Sequence, residues 1–431
     1  MRNSKAPSTN RPEAVIVVTG SELVRGDLSD ENGPFLAAGL AGLGLVCRRI
    51  VIVGDDPGLL ESAIEDGLAA DLCVISGGLG PTHDDRTIEL LAKVAGRKLL
   101  VDPELERAID LVGRRYASNV GSSYHGFQTG VRKQASIPEG ACVLGLAGTA
   151  PGVALEHAGC VVVVLPGPPS ELQGLWPAAL ASEPVRKLLA RVPLFERRTL
   201  RFYGPSESSL AAALEQAGGE GDGVTVTICA RERELFAELF VEPGAEARAD
   251  ELETALAAAG SETLFARNDR PIEQIVLELA RAQGLTLATA ESCTGGLVAG
   301  RLTSVPGASD TFRGSVVAYG NGVKKAALGV SEQTLAEHGA VSAECALELA
   351  RGGRKALAAD VAVSVTGIAG PSGGSAEKPV GLVFFCAAGP DGQIEQELRF
   401  AGERNQIRRY ATVAALHLLE RFLTQIGDKS V

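Results

Sequence analysis

Ser292 lies in the stretch Thr289-Ala290-Glu291-Ser292-Cys293-Thr294-Gly295-Gly296. An apolar run that reads as a short buried strand precedes it, and small residues that read as a helix ending near Thr303 follow. A serine at such a turn meets unpaired backbone N–H groups. These suit it to attack on a carbonyl, because the same groups hold an oxyanion. Helix capping by Ser292 and Thr294 competes with that reading, and on the turn alone it is the commoner case. A serine nucleophile also needs a base. His338 and His417 fall on helical segments, which leaves Lys324 in Tyr319-Gly320-Asn321-Gly322-Val323-Lys324-Lys325, provided burial depresses its pKa. Adjacent lysines at a helix start are more often a solvated pair, so spacing leaves both readings open. A third loop, Gly367-Ile368-Ala369-Gly370-Pro371-Ser372-Gly373-Gly374-Ser375, follows a strand ending at Thr366 and offers N–H groups to a phosphate.

The N-terminal part carries a second set. Gly77-Gly78-Leu79-Gly80-Pro81-Thr82-His83-Asp84-Asp85-Arg86-Thr87 lies between a strand and a helix. Gly77, Gly78 and Gly80 let backbone approach a ligand, and the helix N-terminus attracts anionic oxygen. Thr82, Asp84 and Asp85 offer oxygen ligands for a divalent metal held against a phosphate. Asp85 as a simple helix N-cap is the alternative, and His83 reads as solvated. Gly148-Thr149-Ala150-Pro151-Gly152 and Pro166-Gly167-Pro168-Pro169-Ser170-Glu171-Leu172 fit the same site.

The elements that must position these residues alternate. Strands at 14–19, 45–53, 71–76 and 160–165, with helices between, imply a parallel sheet whose ligands bind off the strand carboxyl ends. From 184 to 267 the rhythm changes to a small α+β unit, with strands at 197–203, 224–230 and 235–241 and helices at 205–216 and 246–259. After the linker Asn268-Asp269-Arg270-Pro271, whose proline suits a first helical turn, a last α/β domain begins. Its strands lie near 286–290, 312–318, 360–366, 380–387 and 394–400. In its final helix Ile407, Ala411, Ala414, Leu418 and Phe422 form a core stripe. The three loops carrying Ser292, Lys324 and Gly367–Ser375 are expected to converge.

Composition narrows the class. A chain of 431 residues exceeds one ordinary core, so two or three domains are expected. With 45% hydrophobic and 22% charged residues it reads as soluble and globular. A net charge of −12 argues against direct nucleic-acid binding. Eight scattered cysteines without a Cys-x-x-Cys pair read as reduced thiols of a cytoplasmic protein, neither disulfides nor a zinc site. The first eleven residues read as a polar tail, and no apolar run reaches membrane-span length.

The loops GGLGPTHDDRT, GTAPG and LPGPPSEL resemble the molybdopterin-binding-like domain of the competence/damage-inducible CinA family, over 13–176. AESCTGG, Tyr319-x-Asn321-x-x-Lys324, TGIAGPSGG and Lys378-Pro379-Val380-Gly381 resemble its C-terminal nicotinamide-nucleotide amidase domain, over 271–426. The segment 184–267 resembles the KH-like connecting domain, read as a spacer and dimer element. The resemblance implies that Ser292, Lys324 and Tyr319 are catalytic in hydrolysing the carboxamide of nicotinamide mononucleotide, with no cofactor. Thr294, Gly295, Gly296, Asn321, Thr366, Gly367, Ala369 and Gly370 would line that site, and Arg404, opening the last helix, is the candidate for a phosphate or nucleotide contact. For the N-terminal domain it implies ADP-ribose pyrophosphatase activity. A divalent metal would sit on Asp84 and Asp85, with or without a monovalent cation. A homodimer is implied as well. Two other readings stay open: a non-catalytic pterin- or nucleotide-binding N-terminal module, and an interaction protein of competence or recombination machinery.

Overall fold

Runs such as Val-Ile-Val-Val and Val-Val-Val-Val have no polar alternation, so they demand cover on both faces, and helices supply it. The computed structural model describes residues 11–120, 125–193 and 195–429. It divides into two compact units, Met1–Glu196 and Arg197–Val431.

The first unit carries a six-stranded sheet ordered Val46–Val53, Glu13–Thr19, Leu72–Ser76, Cys160–Leu165, Pro151–His157, Cys142–Leu146. The first four strands run parallel, as their alternation with helices predicts; the last two are antiparallel. The sheet is therefore mixed. The hairpin turn after His157 needs Ala158 and Gly159 at positive φ, a geometry that only an antiparallel return uses. Cores form on both faces, one around Ile64, Ile75 and Val162, the other around Leu36, Val74 and Trp176.

The second unit holds two sheets with separate cores. The four-stranded sheet, ordered Val224–Arg231, Glu234–Val241, Glu196–Tyr203, Leu264–Ala266, packs helices Glu207–Gln216 and Glu246–Ala259. The five-stranded sheet is ordered Phe312–Val317, Leu287–Glu291, Val361–Gly367, Leu382–Gly389, Gly392–Arg399. Its first three strands are parallel and its last two antiparallel. The final helix, Arg404–Lys429, buries Ile407, Ala411, Ala414, Leu418 and Phe422 against it, as the stripe predicts.

A buried polar joint ties the small sheet to that helix. His417 Nε2 lies 2.8 Å from Glu234, whose other oxygen takes Arg201 at 2.6 Å, while Tyr203 stacks on the imidazole at 3.9 Å. Burial pushes the His417 pKa down against the pull of Glu234. Pro271 departs from its expected place: it precedes the helix Ile272–Ala282 in an extended conformation.

All eight cysteines are free. Five are buried, Cys47 is half-buried, and Cys142 and Cys229 are exposed.

Candidate active site

Ser292 does not cap a helix. The helix Leu297–Thr303 begins five residues later, behind a turn in which Gly295 and Gly296 both adopt positive φ, and it has no side-chain cap from Ser292 or Thr294. Its N-terminal N–H groups are taken by Glu291 instead. That fully buried carboxylate accepts from Gly296 N at 2.8 Å, Ala299 N at 2.9 Å and Val298 N at 3.2 Å. The hydroxyls of Thr289 and Ser315 approach it at 3.2 and 3.4 Å. An anion at a helix N-terminus is favourable, and here the protein supplies its own. The expectation that N–H groups after Ser292 stay unpaired therefore holds only for part of the turn. Ser292 N donates to Val365 O and Gly295 N to Ser292 O. The N–H groups of Cys293 and Thr294 reach no backbone oxygen among the described residues and face the Cys293 thiol, a weak acceptor. The Thr294 hydroxyl, also buried, has no partner.

Glu291→Gln should cost the fold about 2–3 kcal/mol, the worth of hydrogen bonds to a charged group, because an amide nitrogen would face N–H donors. Thermal unfolding beside the unaltered protein measures it; an unchanged midpoint would deny Glu291 this anchoring role.

Lys324 stands on a helix, Asn321–Leu328, not on a loop. It is 1% exposed, whereas Lys325 is exposed and paired with Glu332, so only the second lysine behaves as a solvated one. Lys324 Nζ lies 2.7 Å from Ala318 O, 3.1 Å from Tyr319 O and 3.0 Å from Ser292 Oγ. Two carbonyls can only accept. A neutral amine donates its two hydrogens to them and keeps its lone pair for the Ser292 hydroxyl. Burial holds the Lys324 pKa below its ordinary value, opposed by the thiols of Cys345 and Cys293. Those thiols are themselves pushed up by burial, to about 11 and about 12.

The other expected residues fall into two groups. Arg404 bridges two loops, donating to the Tyr319 hydroxyl at 2.6 Å and to Gly370 O at 2.7 Å. Tyr319 is 58% exposed and meets Lys324 through its carbonyl, not its phenol. Asn321 is exposed at the start of its helix. Thr366, in contrast, spends its buried hydroxyl on Ala340 O at 2.5 Å. Gly367 admits the strand beside it, since a Cβ there would lie 2.8 Å from Leu382 O, and Ala369 belongs to the core. Lys378 clamps His338 O and Val341 O. Arg408, which sequence reasoning missed, donates to Cys293 O and Thr294 O. Its signal was its place one turn after Arg404 on the same helix face.

In the first unit a cleft of about 670 Å³ opens at the carboxyl ends of the parallel strands. Gly77, Gly78, Gly80, Thr149 and Gly167 line it together with Asp84 and Asp85. Thr82 joins them through its hydroxyl, which bonds both Asp84 and Asp85, the latter at 2.6 Å. Asp85 is thus turned into its own loop and does not cap the following helix, whose N-cap is Arg86. Gly148 faces Glu171, and a Cβ on Gly148 would collide with that carboxylate. Pro166 lies one residue before the lining: its carbonyl accepts from Ser76. Asn32, also missed, is buried at the cleft floor with its amide nitrogen on Ser76 and Gly167, and its oxygen finds no partner.

Seven Asp and Glu side chains line the cleft, and Lys133 reaches the same loop, where its Nζ donates to Thr82 O. Among the described residues no three His, Cys, Asp or Glu side chains form a preformed metal cage. Two carboxylates and a hydroxyl suit a hard divalent cation that takes its remaining ligands from phosphate and water. The Thr82 hydroxyl, foremost, holds the Asp84 pKa below the usual range, so this carboxylate stays ionised into acid.

Comparison with known proteins follows this division. Residues 15–184 match the family model described as a probable molybdopterin binding domain, and residues 269–423 match the CinA C-terminal domain. A CinA-like protein of Mycobacterium tuberculosis is 40% identical over 426 residues, covering 96% of this chain and 98% of the relative. One from Mycolicibacterium paratuberculosis is 39% identical over 429 residues, covering 95% and 98%. The solved competence/damage inducible protein CihA of Agrobacterium tumefaciens is 41% identical, covers 37% of this chain and 99% of its own, and gives a TM-score of 0.35. No described helix is long and apolar enough to cross a membrane. The fold is α/β with a molybdopterin-binding-like N-terminal domain, and the chain belongs to the CinA family.

Proposed function

We propose that the chain hydrolyses the carboxamide of nicotinamide mononucleotide to nicotinate mononucleotide and ammonia. The observation that carries this reading is the buried Lys324 amine held between two carbonyls and Ser292 Oγ. Lys324 takes the Ser292 proton as Oγ attacks the carboxamide carbon. The tetrahedral oxyanion is held by the Cys293 and Thr294 N–H groups, and Lys324 returns the proton to the leaving ammonia. Water, deprotonated by Lys324, then splits the acyl-enzyme and frees the carboxylate. Tyr319 and Arg404 form the outer wall, with Arg404 facing the substrate phosphate. Purified protein incubated with nicotinamide mononucleotide should yield nicotinate mononucleotide by chromatography; failure to do so would overturn the proposal.

The acidic cleft supports a second activity, ADP-ribose hydrolysis to AMP and ribose 5-phosphate. Seven carboxylates in the lining repel a bare diphosphate, so the anion enters with cations. A divalent ion held by Asp84 and Asp85 would neutralise that charge, while Gly77, Gly78 and Gly80 bring backbone close to the phosphates. Asp84→Ala should abolish metal-dependent ADP-ribose turnover and leave the amidase intact, because the two sites lie in separate compact units and share no residue. Unchanged ADP-ribose turnover would refute the assignment, and equal loss of both activities would point to misfolding. We further read the protein as cytoplasmic and homodimeric.

A further inference from the structure

We propose that Arg408 is a positioning residue for the oxyanion donors of the amidase, an inference that rests on the Ser292–Lys324 reading. Its Nε donates to Cys293 O at 3.1 Å and its terminal nitrogen to Thr294 O at 2.9 Å. No carboxylate is hydrogen-bonded to it among the described residues. A cationic fork that spends two donors on adjacent carbonyls of the nucleophile turn sets those peptide planes.

The consequence follows from peptide geometry. In a trans peptide C=O and N–H point in opposite directions. A guanidinium fixed on Cys293 O therefore aims the Thr294 N–H to the far side of that peptide. The grip on Thr294 O likewise aims the Gly295 N–H, which meets Ser292 O at 3.1 Å and closes the turn. Cys293 N–H and Thr294 N–H are what remains: among the described residues they reach no backbone oxygen and face only the Cys293 thiol, a weak acceptor that an oxyanion displaces. The helix terminus offers no substitute, because Glu291 occupies it. A cation on a carbonyl also polarises its peptide and strengthens the N–H at the other end.

The turn needs this restraint. Gly295 and Gly296 sit at φ +62° and +96°, and glycines let flanking peptides rotate. An ideal Cβ on Gly295 would lie 3.3 Å from the Arg408 terminal nitrogen, so the glycine also makes room for the clamp. Without Arg408 the Cys293 and Thr294 carbonyls lose their partner, and the donors lose their fixed direction.

The test is steady-state kinetics of full-length Arg408→Met and Arg408→Lys on nicotinamide mononucleotide, with melting temperature as a check on folding. Losing one oxyanion donor should lower kcat by about 10²-fold or more. KM and the pH midpoint should stay unchanged, since neither substrate binding nor Lys324 is touched. Arg408→Lys, which keeps the charge, should retain more activity, and added methylguanidine should raise the kcat of Arg408→Ala. A higher KM at unaltered kcat would overturn the proposal and make Arg408 a substrate ligand. So would an unchanged kcat, or a displaced pH midpoint. Ser292→Ala run in parallel separates the two levels: if it stays active, the Ser–Lys reading itself fails. If it is dead while Arg408→Met is fully active, only this inference fails.

Discussion

Ser292→Ala is expected to lower carboxamide hydrolysis by about 10⁴-fold or more, the scale of a nucleophile knock-out, without weakening the helix that follows. The two effects separate because the hydroxyl touches Lys324 and no N–H group of that helix. Had Ser292 been a cap, its loss would cost about 1 kcal/mol and spare turnover. The structure removes the basis for that outcome, since Glu291 does the capping. Melting temperature measured beside product formation decides the matter. A folded and active Ser292→Ala protein would end the Ser–Lys mechanism.

The sequence placed the strands well where burial on both faces forces an uninterrupted apolar run, as in Cys160–Leu165 and Leu72–Ser76. It placed the helix Glu246–Ala259 equally well. It failed where a partner distant in the chain decides. Glu291 looks like a strand end in sequence, yet its donors come from the next helix and from Ser315 on a neighbouring strand. Arg408 reaches carbonyls 115 and 114 positions away; its spacing from Arg404 marks a shared helix face but not these partners. Asn32 follows Asp30, whose carboxylate accepts from Asn32 N and Gly33 N at the start of its helix. Its own side chain turns to Ser76 and Gly167. Lys324 was ambiguous for the same reason: adjacent lysines look alike until the fold buries one and exposes the other. Motif resemblance pointed to Lys324, and it is the buried one of the two. Thr366, which the resemblance placed in the site lining, turns its hydroxyl to Ala340 O, again a partner distant in the chain.

Lys324→Met is expected to lower the rate by about 10²- to 10⁴-fold, the usual worth of a positioned general base. Serine and lysine act as one unit, so combining it with Ser292→Ala should add little to the Ser292→Ala loss. The pH dependence follows from the same burial. Only the neutral amine accepts the Ser292 proton, and its pKa is held below the ordinary lysine value. The unaltered enzyme should therefore gain activity as pH rises through that depressed pKa and lose it as pH falls. Stability should follow the same direction. Between the folded pKa and the ordinary lysine value the unfolded chain binds one proton more than the folded chain, so stability rises with pH across that window. Lys324→Met should erase this part of the slope, because methionine carries no proton to exchange. Rate and melting temperature across pH, for both proteins, test the argument. A rate that falls as pH rises through this range would mean that Lys324 acts as a cation, and the base would have to be sought elsewhere.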